Sequence, residues 1–238
     1  MLKPAYKRIL LKLSGEVLAG SKGFGFDAEV AERIASDIKE VSDAGVQIGV
    51  VIGAGNIFRG GSARDLNRTA ADTIGMMATV INSLFLKEYL EKNGCRACVM
   101  SAIPIPKAAE YFVAESAIRR LEAGIVVIVA GGTGNPFFTT DTAAALRCAE
   151  IKADILLKAT KVDGVYDSDP AKNPAAKKFP FITHAQALAK GLKVMDATAL
   201  SLCMENNIPI IVFKLLEHGN LRKCVEGSPI GTIVRKEE

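Results

Sequence analysis

The segment Gln47-Ile-Gly-Val-Val-Ile-Gly-Ala-Gly-Asn56 decides the fold. Residues 47–52 read as an apolar strand that runs straight into a glycine turn at Gly53. The pattern recurs on either side. Arg8 to Leu13 reads as a short buried strand leading into Ser14-Gly15, and Ile125 to Ala130 as another leading into Gly131-Gly-Thr-Gly-Asn135.

Helical periodicity fills the gaps. Val30, Ile34, Ile38 and Val41 share one helical face, with Asp27 placed to cap its start and Gly45 to stop it. A long helix from about Thr69 to Asn93 carries Met76, Met77, Val80, Ile81, Leu84 and Phe85, more apolar residues than one face needs. Further strands are expected over Ala97–Ser101, Ile155–Ala159 and Pro209–Phe213, with helices over Thr140–Ile151 and Met195–Asn206. Thr232–Val234 reads as an edge strand, and Asp167–Lys178, holding Pro170 and Pro174, as an exposed loop. This βαβα order predicts an α/β fold, a mostly parallel sheet sandwiched by helices. Ligands in such folds sit beyond the carboxyl ends of strands, which is where the three glycine loops fall.

Composition narrows the class. The 238 residues are expected to form a single domain over 1–238, and 49% of them are apolar. No membrane segment and no signal peptide are expected, so a cytoplasmic protein is the default reading. The net charge of +4 is mild and the sequence has no basic tract, so nucleic acid is not an expected partner. Five cysteines, an odd number, argue against a disulfide framework. Cys95 and Cys98 form a C-x-x-C, but the pair follows a helix stop at Gly94 and leads into a strand, so the thiols read as structural. His184 and His218 share no metal-ligand spacing.

No Gly-Lys dipeptide occurs, which excludes a Walker A loop. Instead Lys12-Leu-Ser14-Gly15 ends the first strand, Gly53-Ala-Gly55-Asn56 ends the second with Arg59 close behind, and Gly131–Asn135 ends a third. Each turn alone is accounted for by glycine's freedom to take a positive φ. Three at one sheet edge, with Lys12 and Arg59, point to a polyanionic ligand held by backbone N–H groups and fixed cations.

Four motifs carry a resemblance: Lys12-Leu-Ser-Gly-Glu16, Val50-Val-Ile-Gly-Ala-Gly-Asn56 with Phe58-Arg59-Gly60, Gly132-Thr-Gly-Asn-Pro-Phe-Phe-Thr-Thr-Asp141, and Lys158-Ala-Thr-Lys-Val-Asp-Gly-Val-Tyr166. They closely resemble those of the bacterial-type UMP kinases of the amino acid kinase family, and the resemblance runs from Tyr6 to about Val234. Ala54 stands where many relatives are expected to carry glycine, which tightens the space near a phosphate.

The resemblance implies transfer of the γ-phosphoryl group of ATP to UMP. It places ATP on Lys12, Leu13, Ser14, Gly15, Gly55, Arg59, Thr160, Tyr166 and Asp169. It places UMP on Ala54, Asp72, Thr133, Gly134, Asn135, Pro136, Phe137, Phe138, Thr139 and Thr140. The UMP lobe would be N-terminal and the ATP lobe roughly 155–238, sharing one sheet. Lys12 and Lys158 would stabilise the transferring group, Asp141 would orient them or help place Mg²⁺, and Asp196 would support. The ion itself would be held mainly by the nucleotide phosphates, with no dedicated protein metal site. GTP activation through Gly20, Ser21, Lys22, Gly23, Phe24 and Gly25, UTP inhibition and a hexameric assembly are also implied. Asp72 has a simpler reading too, as a carboxylate at a helix N-terminus. Two other readings stay open: a family member phosphorylating a carboxylate or carbamate, and a binding protein that kept the pocket and lost turnover.

Overall fold

The computed structural model describes residues 2–58, 65–217 and 219–237. In chain order these form β1 (Arg8–Leu13), α1 (Gly15–Leu18), a 3-10 turn (Gly20–Lys22), α2 (Ala28–Asp43), β2 (Gln47–Ile52) and α3 (Arg68–Lys92). Next come β3 (Ala97–Ser101), β4 (Glu110–Tyr111), α4 (Ala114–Glu122), β5 (Val126–Ala130), α5 (Thr140–Glu150) and β6 (Ile155–Thr160). The remainder comprises β7 (Val165–Tyr166), β8 (Lys178–Phe179), β9 (Phe181–Thr183), α6 (His184–Ala189), α7 (Ala197–Glu205), β10 (Ile210–Lys214), α8 (Asn220–Val225) and β11 (Thr232–Arg235).

Nine strands make one continuous sheet in the order β4-β3-β5-β2-β1-β6-β10-β11-β9. Every pairing is parallel except β10 with β11. Side-chain alternation along the strands divides the core in two. Ile9, Leu11 and Leu13 face α2, α3 and α8, while Leu10 faces the layer of α4, α5, α6 and α7. The same alternation turns Lys12 towards the α5 side. Burial on both faces explains why the inner strands read as unbroken apolar runs.

Capping agrees with the sequence. Asp27 Oδ1 accepts from the Glu29 and Val30 amides at 3.1 and 3.3 Å, and Thr183 with Gln186 completes a capping box on α6.

One expectation changes. Thr232–Val234 is not at the edge: β11 lies between β10 and β9, and the edge strand is β9. Residues 167–177 form an exposed loop, as expected, and an antiparallel β7–β8 pair, Tyr166 opposite Lys178, closes its base. Of the apolar surplus on the long helix, Phe85 stacks on Phe26 with ring centroids 4.1 Å apart, and Met76 turns to a cleft described below. Ile74, Met77 and Ile81 remain as an exposed apolar ridge. By length and composition α3 alone would pass as a membrane span, yet its inner face, with Val80, Leu86 and Leu90, is buried in the core.

Candidate active site

The turns that follow β1, β2 and β5 meet at one edge of the sheet because these strands are parallel neighbours, with β5 beside β2. Gly15 packs so closely on the β2 turn that an added Cβ would fall 2.4 Å from Gly53 O and 2.5 Å from Asn56 Oδ1. Neither Gly15, Gly53 nor Gly55 has a positive φ. Close approach, and not conformational freedom, therefore requires glycine at Gly15. The β5 turn is the opposite case: Gly131, Gly132 and Gly134 have φ of 77°, 59° and 84°.

Lys12 and Lys158 are directly paired residues of β1 and β6, so their side chains leave the same face of the sheet side by side. Asp141, in the first turn of α5, enters between them. Lys12 Nζ lies 2.8 Å from Asp141 Oδ1 and Lys158 Nζ lies 2.7 Å from Oδ2. All three side chains are largely buried. Burial would raise the Asp141 pKa, but the two ammonium groups outweigh it and hold the carboxyl below its ordinary value. Burial pulls the Lys158 pKa below the usual lysine value, opposed by Asp141. Lys158 also donates to the Val194 carbonyl. A carboxylate whose oxygens each face an ammonium group is a poor seat for a divalent cation. The arrangement is that of a carboxylate bridging and orienting the two lysines. Among the described residues no cluster of His, Cys, Asp and Glu suits a metal ion.

Asp196 supports from one step further away. It caps α7 by accepting from the Ala199 amide at 3.0 Å. It also accepts from the Thr142 hydroxyl at 3.0 Å and from Thr139 Oγ1. Thr139 in turn caps α5, accepting from the Asp141 and Thr142 amides at 3.0 and 3.2 Å. This chain of bonds fixes the helix start that carries Asp141.

Beside the three charges opens a cleft of about 280 Å³. Of the residues expected to hold UMP, it gathers Ala54, Asp72, Thr133, Asn135, Phe138, Thr139 and Thr140. Gly55, expected on the ATP side, lines it as well, and Phe58, Ala71, Gly75, Met76, Thr79 and Gly132 complete the wall. Gly134, Pro136 and Phe137 do not line it. Phe137 is a non-glycine residue at φ 72° with an exposed ring, and Arg68 lies 5.5 Å above that ring. Its contribution is its backbone: the Phe137 amide donates to Asp72 Oδ2 at 2.7 Å, where Arg68 Nε also donates at 2.8 Å. Partial burial would raise the Asp72 pKa, but these two donors hold it below the ordinary value. Asp72 sits one turn inside α3 and ties that helix to the β5 turn, so the simpler helix-start reading does not describe it.

The residues expected for ATP are spread out. Tyr166 and Asp169 line a second cavity, of about 410 Å³, with Lys190, Leu192 and Lys193. Tyr166 donates its hydroxyl to Asp163 Oδ1 at 2.6 Å, leaving its ring on the cavity wall. Thr160 lines a smaller recess with Glu16, Gly20 and Lys214. Gly15 packs on the β2 turn, whose Ala54 and Gly55 line the cleft, and the next residue, Glu16, lines the recess. Arg59 and Gly60 fall outside the described residues, as does His218.

Several supporting residues escaped the sequence reading. Thr79 Oγ1 accepts from the Gly131 amide at 2.8 Å, and Arg147 donates to Gly132 O at 3.1 Å. Asn82 donates to Gly53 O at 2.7 Å. A signal was present, since Thr79, Asn82 and Ser83 are polar residues inside an apolar helix, and all three are buried.

A mostly parallel sheet with facing lysines bridged by one aspartate, beside glycine turns at the strand ends, offers fixed positive charge and backbone N–H groups suited to an anionic ligand. The chain belongs to the amino acid kinase family, which matches residues 7–214. It is similar to the crystal structure of UMP kinase from Bacillus anthracis, with 38% identity, TM-score 0.95, and 99% of this chain and 98% of that one covered. UMP kinase from Ureaplasma parvum is 40% identical, with TM-score 0.91, covering 97% and 99%. Uridylate kinase from Archaeoglobus fulgidus is 28% identical, with TM-score 0.73, covering 95% and 99%. Within the family the chain groups with the bacterial-type UMP kinases.

Proposed function

We propose that the protein transfers the γ-phosphoryl group of ATP to UMP, giving UDP and ADP, in pyrimidine nucleotide synthesis. The observation that supports this most is the Lys12–Asp141–Lys158 bridge at the edge of the cleft. UMP occupies that cleft, with Thr133, Asn135, Thr139 and Thr140 supplying hydroxyl and amide partners and Phe138 an apolar surface. ATP lies across the C-terminal lobe, its base towards Tyr166 and its phosphates towards the Lys12–Gly15 turn. Lys12 and Lys158 neutralise charge that builds on the transferring group, and Arg59 serves both phosphates. The UMP phosphate oxygen is already a nucleophile at neutral pH, so no general base is needed. Mg²⁺ enters with the ATP phosphates.

GTP activates through the loop Gly20–Gly25, UTP inhibits, and the chain works as a homo-oligomer, a hexamer, in the cytoplasm. The exposed ridge of Ile74, Met77 and Ile81 supports the assembly. A coupled assay with ATP, Mg²⁺ and a panel of acceptors, including the other nucleoside monophosphates, carbamate and amino-acid carboxylates, tests the activity. Turnover of UMP above all others is the expected result. Turnover of a carboxylate alone, or tight binding with no turnover, would reject it.

A further inference from the structure

Asn82 and Asn56 form a closed amide pair beneath the glycine turns. Asn82, in the middle of α3, is fully buried, and Asn56, in the β2 turn, is 1% exposed. Asn82 Nδ2 donates to Asn56 Oδ1 at 2.8 Å, and Asn56 Nδ2 donates back to Asn82 Oδ1 at 3.0 Å. The second proton of each amide goes to a backbone carbonyl. Asn82 reaches Gly53 O at 2.7 Å and Asn56 reaches Gly25 O at 2.9 Å. The Gly25 amide returns a bond to Asn56 O at 2.9 Å. All four side-chain donors are therefore used.

A fully satisfied polar pair in a helix core contributes specificity of geometry more than stability. What this pair specifies is on view. Gly53 O and Asn56 Oδ1, both held by Asn82, are the two atoms against which Gly15 packs. They set how near the Lys12–Gly15 turn lies to the β2 turn, and Ala54 and Gly55 of that turn line the cleft. Asn82 itself does not line it.

We propose that Asn82 is a positioning residue for phosphoryl transfer, acting through Asn56 and the Gly53 carbonyl to set the spacing of the two glycine turns. The proposal rests on the phosphoryl-transfer reading of the cleft. It predicts a signature that a purely structural residue would lack. In Asn82→Asp, the ionised carboxylate has no proton for Gly53 O or Asn56 Oδ1, while the protonated acid regains one donor. In Asn82→Leu, the donors are lost at every pH.

The experiment measures kcat and the KM of both nucleotides for wild type, Asn82→Asp and Asn82→Leu between about pH 6 and about pH 8, with thermal unfolding alongside. Misplacing a reacting group by a fraction of an ångström lowers turnover more than binding, so kcat should fall about ten-fold or more while KM for UMP moves less than about three-fold. The Asn82→Asp rate, as a ratio to wild type, should fall further as pH rises, and the Asn82→Leu ratio should stay flat. Folded variants with kcat within about two-fold of wild type would overturn the proposal, as would an Asp ratio that does not change with pH. Failure of both variants to fold would overturn it too, because the pair would then be a determinant of the fold. If wild type does not phosphorylate UMP, the functional reading fails on its own. The pair is then judged by the rise in melting temperature that ATP produces, which Asn82→Asp should keep near pH 6 and lose near pH 8.

Discussion

Lys12 and Lys158 are Cα partners across the β1–β6 ladder, and a single carboxylate, that of Asp141, lies between their ammonium groups. Two buried cations so close together repel each other, and α5 is docked so that its first turn offsets that repulsion. The two side chains are thereby held in place before any substrate arrives.

Lys12→Ala should therefore lower kcat much more than it weakens UMP binding. Removing one charge partner of a transition state costs about 100-fold or more. Steady-state kinetics on a variant with an unchanged melting temperature checks this. A rate within a few-fold of wild type would remove Lys12 from the mechanism.

The bridge also sets a pH limit. Lys158 loses its charge as pH rises through a pKa that burial has pulled below the usual lysine value. The alkaline fall in kcat should therefore begin below the pH expected for an ordinary lysine. Asp141→Asn removes the charge that opposes the shift, so its alkaline limb should move to still lower pH. An unmoved limb in the pH–rate profile would assign it to another group.

Asp72→Ala should raise KM for UMP, with a smaller effect on ATP. It removes the acceptor of the Phe137 amide, one of the bonds that tie the β5 turn to α3. Loss of a charge-assisted hydrogen bond is worth about 1.5–3 kcal/mol, which is roughly a ten- to hundred-fold change. A change confined to the KM of ATP would place Asp72 on the wrong nucleotide.

His184 predicts a loss of stability in acid. It is buried, with Nε2 bonded to Ile208 O at 3.0 Å, and burial lowers its pKa below the ordinary value, only partly opposed by that carbonyl. The unfolded chain therefore takes the proton first. The stabilising contribution is complete above the ordinary histidine pKa, about 6.5, and is lost as pH falls below it. Urea midpoints should drop between about pH 7.5 and about pH 5.5 by less in His184→Gln than in wild type. Equal drops would exclude His184 as the source.

Changing Phe24 or Lys22 should weaken the GTP response more than the basal rate. Coupling between sites is typically about 1–3 kcal/mol, so the activation at stake is about 5- to 150-fold in affinity. Phe24 is 70% exposed, with space for a ligand or a neighbouring subunit. An unchanged response in both variants would reject the loop assignment. Ile81→Glu, on the exposed ridge of α3, should lower the oligomeric state seen by light scattering, and a wild-type monomer would reject the assembly.

Much of the fold was legible because the inner strands are buried on both faces and so carry unbroken apolar runs, while Asp27 and Gly45 mark the ends of α2. The missed elements lack those signals. Helix α4 has no side-chain cap and buries only Ala117 and Leu121, and β4 is two residues long. The interior place of β11 was invisible because strand order depends on partners far away in sequence. At the site, residue types were legible but their division was not. Gly134, Pro136 and Phe137 sit in the same motif as Thr133, Asn135 and Phe138 yet do not line the cleft. Asn82 and Thr79 were hidden in a helix that otherwise reads as core.

The placement of β11 has a bearing on biosynthesis. Thr232 Oγ1 accepts from the Val165 amide at 2.8 Å and donates to Phe179 O, so the last strand pins the hairpin that carries Tyr166. Ribosomes add about 5–20 residues per second, and earlier segments start to fold as they emerge. The sheet from β4 to β10 can assemble during translation, but β9, which joins it through β11, and the wall of the second cavity wait for residues 232–235. The wall of that cavity is thus completed only after every preceding strand has been made.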